Sequence, residues 1–325
     1  MNKKKRIRRL FAVPLIMSFI MILSGCSGGG QGTGTQDPGS ASSSPGSDTV
    51  DPDNTDQNGG NTDENGTDSG TPGTDGRCEI TAFATGKADS LLISSGDVNV
   101  LIDAGEEDDA ELICKRLGEK GVTRLDLMIV THFDRDHAGG VPKILEQVTA
   151  DKVYYPDYAN TKDVYLAFRR AVSDSSGEGK ITRVTEFTAG DLKFVIYPEE
   201  DPESLRSKSN DFDNDMSLIC MLYYKDYRFF FAGDIEKERI AELTDLDLKC
   251  DWIKMPHHGR YNKKLKQLLD ACAPSYAVVT DSDEEIAETD TLVELQKRKI
   301  QTFSIRKGEI VTIADDEGIS VQYAQ

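Results

Sequence analysis

Histidine is scarce in this chain, with four residues in 325. Tryptophan occurs once, and the six cysteines include no Cys-x-x-Cys pair, which excludes a zinc knuckle built on thiolates. Long apolar runs are missing apart from residues 10–23, and that stretch is too short to span a bilayer comfortably. Basic charge is in deficit: 38 Lys and Arg stand against 57 Asp and Glu, a net charge of −19. A chain this acidic is not a general polyanion binder. Five cysteines remain beyond Cys26, an odd number that argues against a full disulfide framework, although one bridge is compatible with life outside the cytoplasm. Cys114, Cys220, Cys250 and Cys272 sit in apolar patterns and read as small core residues.

The N-terminus carries six basic residues between Lys3 and Arg9, then the apolar stretch, then Leu23-Ser24-Gly25-Cys26. This resembles a bacterial lipoprotein signal peptide, residues 1–25, cleaved before Cys26. Acyl chains on Cys26 would then anchor the protein to the extracytoplasmic face of the cell membrane. Residues 26–76 are almost entirely Gly, Ser, Thr, Asp, Asn, Gln and Pro, with Ala41 and Val50 as the only aliphatic side chains. Such a composition cannot bury enough apolar surface to offset chain entropy and reads as a disordered tether. Residues 77–325 are long enough for one large α/β domain with its own core.

Within that domain, strands are expected over 79–84, 90–94 and 98–102, a helix over 109–117, a strand buried on both faces over 125–130 and a helix over 141–147. The later half repeats the alternation. Strands are expected over 193–197, 217–224 and 227–232, a helix over 235–243 and a strand over 252–255. A helix over 263–272, a strand over 276–280 and a helix over 291–298 follow, with strands over 302–305, 310–314 and 319–323. Several strands in each half, each half with its own helices, predict a two-sheet sandwich covered by helices.

All four histidines fall in two short motifs. His132-Phe133-Asp134-Arg135-Asp136-His137 leaves the buried strand, and Pro256-His257-His258-Gly259 follows a shorter one. Between them, Phe231-Ala232-Gly233-Asp234 is an apolar strand ending on a carboxylate. Two imidazoles and two carboxylates on one loop can divide between two divalent ions, and Asp234 would bridge them. Taken alone, Asp234 is an ordinary helix cap; beside the His-Asp cluster it reads as a ligand. Arg260, Lys263, Lys264 and Lys266 follow directly and would meet a phosphate, or simply form a solvated helix face.

In this order the motifs resemble the metallo-β-lactamase fold superfamily and, within it, the hydrolase domain of ComEC-type competence proteins. Gly86-Lys87-Ala88-Asp89-Ser90 resembles that family's Gly-Gln-Gly-Asp-Ser strand entry, Leu101-Ile102-Asp103-Ala104-Gly105 its next strand end, and Asn214-Asp215-Met216-Ser217 its Asn-rich turn. The resemblance covers residues 78–323 and implies a four-layer αββα sandwich. It implies two divalent metal ions, zinc or manganese, held by His132, Asp134, Asp136, His137, Asp234 and His257. It gives Asp136 a further role in orienting water and His258 a contact with substrate or leaving group; Arg260, Asn214 and Ser217 are expected beside the substrate. Two departures stand out. Asp134 occupies a position that is usually His, which moves preference towards manganese. Asp281-Ser282-Asp283-Glu284-Glu285 stands where ComEC-type domains often carry Gly-His-Pro.

The expected function is therefore a membrane-anchored, metal-dependent hydrolase of ester bonds, foremost phosphodiesters. The substrate would be a small or polymeric phosphodiester, with extracellular DNA as one candidate. A lactone, thioester or amide hydrolase on the same fold is an alternative, and a lipoprotein that binds metal or a partner without turnover is another. No protein partner is specified.

Overall fold

The computed structural model describes residues 76–173, 177–243 and 246–325. The expected signal peptide, Cys26 and the expected tether (Gly76 excepted) lie outside them. Among the described residues no helix is long and apolar enough to cross a membrane.

Two sheets form the frame. One has eight strands in the spatial order Ile319–Tyr323, Ile310–Ala314, Cys78–Ala82, Leu91–Ser95, Val98–Ile102, Leu127–Ile129, Val153–Pro156 and Glu178–Ile181. The other has seven: Gln301–Ser304, Tyr276–Val279, Trp252–Lys254, Tyr227–Phe231, Ile219–Tyr224, Leu192–Tyr197 and Thr185–Ala189. Each sheet is antiparallel on one side, where hairpins connect neighbours, and parallel on the other, where helices make the crossovers.

The continuous apolar runs are explained by burial on both faces. Leu91, Ile93, Val100, Ile102, Leu127 and Ile129 point between the sheets, where they meet Phe194, Cys220, Leu222, Phe229, Phe231 and Trp252. Their alternates Leu92, Leu101 and Met128 point outward into a second core with Ile113, Leu117, Ile144 and Phe168. On the opposite side Ile219, Met221, Phe230 and Ile253 pack against Ile240, Leu265, Leu269 and Leu295. Period-two alternation with both sets apolar gives two sheets with a helix layer outside each, the expected αββα sandwich. The helices on the outer face of the eight-stranded sheet are Ala110–Glu119, Val141–Leu145 and Asp163–Ser173. Lys237–Leu243, Leu265–Cys272 and Thr289–Lys297 cover the other.

Two elements differ from expectation. The run expected as one strand over 125–130 breaks at Asp126, whose carboxylate accepts the amide of Asn99 at 2.9 Å. Arg124–Leu125 pairs instead with Thr149–Ala150 in a separate two-stranded sheet. Residues 148–192, for which no element is expected, supply four strands and the helix Asp163–Ser173.

Candidate metal centre

The ends of four central strands converge on one edge of the sandwich. Val98–Ile102 ends at Asp103, Leu127–Ile129 leads to Thr131 and His132, Tyr227–Phe231 leads to Asp234, and Trp252–Lys254 leads to His257 and His258. Backbone bonds tie these ends together: Leu218 donates to Thr131, Ala104 to His137, and His257 to Gly233. Gly233 makes this possible, because its φ is +56° and a Cβ there would meet the Ser217 Cβ at 2.8 Å. Asp103, His257 and His258 are non-glycine residues with positive φ (59°, 46° and 51°), backbone strain concentrated at the site.

Within this frame His132, His137 and Asp234 offer one set of mutually close donor atoms, and Asp89, His137 and His258 a second. His137 Nε2 lies 3.2 Å from Asp234 Oδ2, and His258 Nε2 lies 3.0 Å from the same oxygen and 3.3 Å from Asp136 Oδ2. His132 Nε2 is 3.9 Å from Asp134 Oδ2. The Nε2 atoms of His132, His137 and His258 are buried and have no hydrogen-bond partner. Three unpartnered imidazole nitrogens facing carboxylates would be costly unless a cation completes them, so the residues fit divalent metal ions.

Outer partners fix the rings. Asp103 Oδ2 sits 2.8 Å from His137 Nδ1, and the Asp103 carboxylate also accepts the Thr131 amide (2.7 Å) and hydroxyl (2.8 Å). His132 Nδ1 meets the Thr131 and Ser217 hydroxyls at 3.1 and 3.3 Å, and His258 Nδ1 meets the Thr280 hydroxyl at 3.0 Å. With each Nδ1 occupied, Nε2 is the atom turned inward.

Beneath the histidines lies a fully buried lysine. Lys254 Nζ contacts Asp89, Asp234 Oδ1 at 3.2 Å and the Gly233 carbonyl at 3.2 Å. Burial alone would raise the pKa of Asp234, but His137, His258 and Lys254 hold it well below the usual carboxylate range. Burial likewise opposes ionisation of Asp136, yet the His258 imidazole beside it and the charge of His137 hold its carboxyl below that range. Burial depresses His258, but Asp234 and the other nearby carboxylates outweigh it and push the imidazole up to about 10. His132 shifts the other way, lowered by burial and by His137.

The structure therefore brings together His132, Asp136, His137, Asp234 and His258, with Asp134 at the margin on an ion pair with Lys162. His257 is in neither set of mutually close donor atoms. The His257 Nδ1 lies 3.2 Å from Glu236 Oε1 and 3.5 Å from Asn214 Nδ2. Ser217 lies behind the site, its hydroxyl accepting the Asp234 amide at 3.2 Å. Arg260 is exposed on the wall of an adjoining pocket. Asp281 is buried and holds its own loop, accepting the amide of Ala287 and the hydroxyl of Ser304, while Glu284 and Glu285 remain on the rim. Asp89 and Asp103 entered the sequence reading only as parts of strand-entry and strand-end motifs, and Lys254 and Thr131 did not enter it. The signal for Lys254 was one charge inside the apolar run Trp252-Ile253-Lys254-Met255.

Comparison with known proteins identifies the family. The family model described as "Metallo-beta-lactamase superfamily" matches residues 85–279. ComE operon protein 3 of Bacillus subtilis is 25% identical over 168 residues, covering 50% of this chain and 21% of that protein. Recombination protein 2 of Haemophilus influenzae is 24% identical over 207 residues, covering 62% of this chain and 24% of that protein. The chain thus spans about a quarter or less of the length of these relatives. Among solved structures, the metallo-beta-lactamase fold protein YhfI from Bacillus subtilis is 11% identical, with a TM-score of 0.47 over 76% of this chain and 100% of that one. The chain belongs to the metallo-beta-lactamase superfamily.

Proposed function

We propose that this protein is a metal-dependent hydrolase that cleaves phosphodiesters with water, carried on a lipid anchor at Cys26 outside the cytoplasmic membrane. The observation that carries the reading is the set of three buried, unpartnered Nε2 atoms, of His132, His137 and His258, gathered around Asp234. We assign two divalent ions, manganese or zinc. Asp136, His137, Asp234 and His258 would hold one, and His132, Asp134 and Asp234 would hold the other. The histidine roles are thereby exchanged relative to the sequence expectation: His258 is the ligand, and His257, oriented by Glu236, faces the substrate pocket. When bound, such ions lower the pKa of a water molecule and offset charge that builds in the transition state.

The chain's own residues do the rest. Asp103 and Thr131 hold the His137 ring in place. Lys254 engages Asp234 Oδ1, so that Asp234 Oδ2 is the oxygen presented to the histidines. The name of one relative, Recombination protein 2, supports a connection with DNA, while the acidic domain favours substrates other than long polyanions.

The test is hydrolysis of a chromogenic phosphodiester by the full chain, stripped of metal and reloaded with Mn²⁺ or Zn²⁺. Asp136→Ala and His258→Ala are each expected to lower kcat at least a hundredfold while the far-ultraviolet circular dichroism is unchanged. Full activity in both variants, or no metal-dependent turnover in the parent, overturns the assignment.

A further inference from the structure

Two of the five cysteines beyond Cys26 meet at the foot of the segment that carries the second histidine motif. Cys250 stands just before the strand Trp252–Lys254, and Cys272 is the last residue of the helix Leu265–Cys272. His257 and His258 lie between them in the chain. The Cys250 amide donates to the Cys272 carbonyl at 2.9 Å. A direct backbone bond of this kind holds two Cα atoms within the span that a disulfide bridges, about 4.4–6.8 Å. The two thiols are also hydrogen-bonded to each other. Both residues are buried in the core between the seven-stranded sheet and its helices.

The junction is fixed on either side of the pair. Ala273 leaves the helix with φ +44° and donates to the Leu269 carbonyl at 2.9 Å. Ser275 and Tyr276 both donate to the Asp251 carbonyl, at 2.9 and 3.1 Å, and Asp251 Oδ2 accepts the Arg228 amide at 2.9 Å. With the backbone already in place, a bond between the sulfurs asks for side-chain rotation rather than chain movement. The remaining cysteines of the domain lie elsewhere: Cys78 and Cys220 in the sheet–sheet core, and Cys114 against the outer core of the eight-stranded sheet.

We infer that Cys250 and Cys272, free thiols in this structure, are joined by a disulfide in the mature protein. The inference rests on the extracytoplasmic placement proposed above, where thiol–disulfide oxidants act. One cysteine thiolate attacks the oxidant's disulfide and expels one of its sulfurs as thiolate. The second cysteine attacks the mixed disulfide so formed, the Cys250–Cys272 bond closes, and the oxidant's other sulfur leaves. The oxidant, now a dithiol, has taken up two electrons and the two protons that the cysteines gave up. The exchange belongs to folding, before the segment is buried. Once folded, the hydrogen bond with Cys272 and burial push the Cys250 thiol up and leave almost no thiolate to react. The bond is thus structural, tying the start of the strand that presents His257 and His258 to the end of the helix that follows them.

The test uses the full chain purified from the membranes of a bacterial host that exports it, and the same chain unfolded and refolded in a mixture of oxidised and reduced glutathione. Each is alkylated under denaturing conditions without reductant, digested with trypsin and mapped by mass spectrometry. The Cys250 and Cys272 peptides should run as one linked species that separates on reduction, with Cys78, Cys114 and Cys220 alkylated. The thermal midpoint should fall by about 5–10 °C when the chain is unfolded in reductant and refolded reduced. In Cys250→Ala/Cys272→Ala it should be indifferent to reductant, a difference that mere core packing would not produce. Alkylation of both cysteines in both preparations, or a link from either to another cysteine, would overturn the inference. A link in the glutathione-refolded chain but not in the membrane-derived one would uphold the pairing and overturn the extracytoplasmic placement.

Discussion

Lys254 is the residue on which the charge balance of the centre turns. Its ammonium is fully buried against Asp89 and Asp234, and both carboxylates also face histidines. Removing one partner from a buried ion pair leaves the other charged and unpaired, which costs about 3–5 kcal/mol. Lys254→Met keeps much of the volume, so it isolates the charge. It should lower the unfolding free energy of the metal-free protein by that amount, read by urea denaturation, and by less once Mn²⁺ is bound, because the ion then compensates Asp234. An equal loss with and without metal would show that Lys254 acts by packing alone. Away from the centre, Glu242 is poised differently. Burial and the neighbouring Glu199 carboxylate push its pKa up to about 7 from an ordinary 4.5. Between those values the folded state holds a proton that the unfolded state releases. Its contribution to stability is therefore present below pH 4.5 and is lost as pH rises through about 7. Glu242→Gln should remove that slope, so the difference in stability between variant and parent should grow from pH 4.5 to 7. Parallel stability curves would refute it.

Strand ends place the chemistry, and their turns are tighter than side chains normally tolerate. Gly233 carries a positive φ directly before Asp234, and the Ser217 side chain fills the space where a Cβ would sit. Gly233→Ala should therefore destabilise the protein by about 1–3 kcal/mol and weaken metal binding as Asp234 shifts, measured by metal titration. Unchanged metal affinity would mean that the turn has slack. This grouping was legible in the sequence because its candidate ligands sit next to their strand ends: His132, Asp136, His137 and Asp234 lie within a few residues of long apolar runs. The choice between His257 and His258 was not legible. Both adopt left-handed backbone, and only the positions of Glu236 and Thr280 decide which ring faces the centre. Residues 148–192 were opaque for another reason. Val153–Pro156 has four residues and ends on proline, and Glu178–Ile181 contains a glycine and is mostly exposed, so neither shows alternation long enough to read. Asp163–Ser173 buries only Phe168 and Val172 fully, a narrow stripe for eleven residues.

At the scale of the whole domain, the sandwich and the centre share the same four strands, so metal binding and folding are linked. The inward faces of these strands form the sheet–sheet core through Val100, Ile102, Leu127, Ile129, Phe229, Phe231 and Trp252, while their ends carry the candidate ligands. That edge gathers Asp89, Asp103, Asp136 and Asp234 around one lysine and two imidazoles held towards the charged form. An ion that binds only the folded state adds RT ln(1 + [metal]/Kd), about 2.7 kcal/mol at a hundredfold excess over Kd. Chelation should accordingly lower the thermal midpoint by several degrees, and Mn²⁺ or Zn²⁺ should restore it. Two substitutions separate the contributions. Asp136→Ala should abolish most of the metal-dependent shift while leaving a folded protein. Phe230→Ala, in the core between the seven-stranded sheet and its helices, should cost about 3–5 kcal/mol and leave the metal-dependent shift intact. If the metal-dependent shift were the same in Asp136→Ala as in the parent, stabilisation would have to come from ions bound elsewhere, and this edge of the sandwich would not be where metal and fold are coupled.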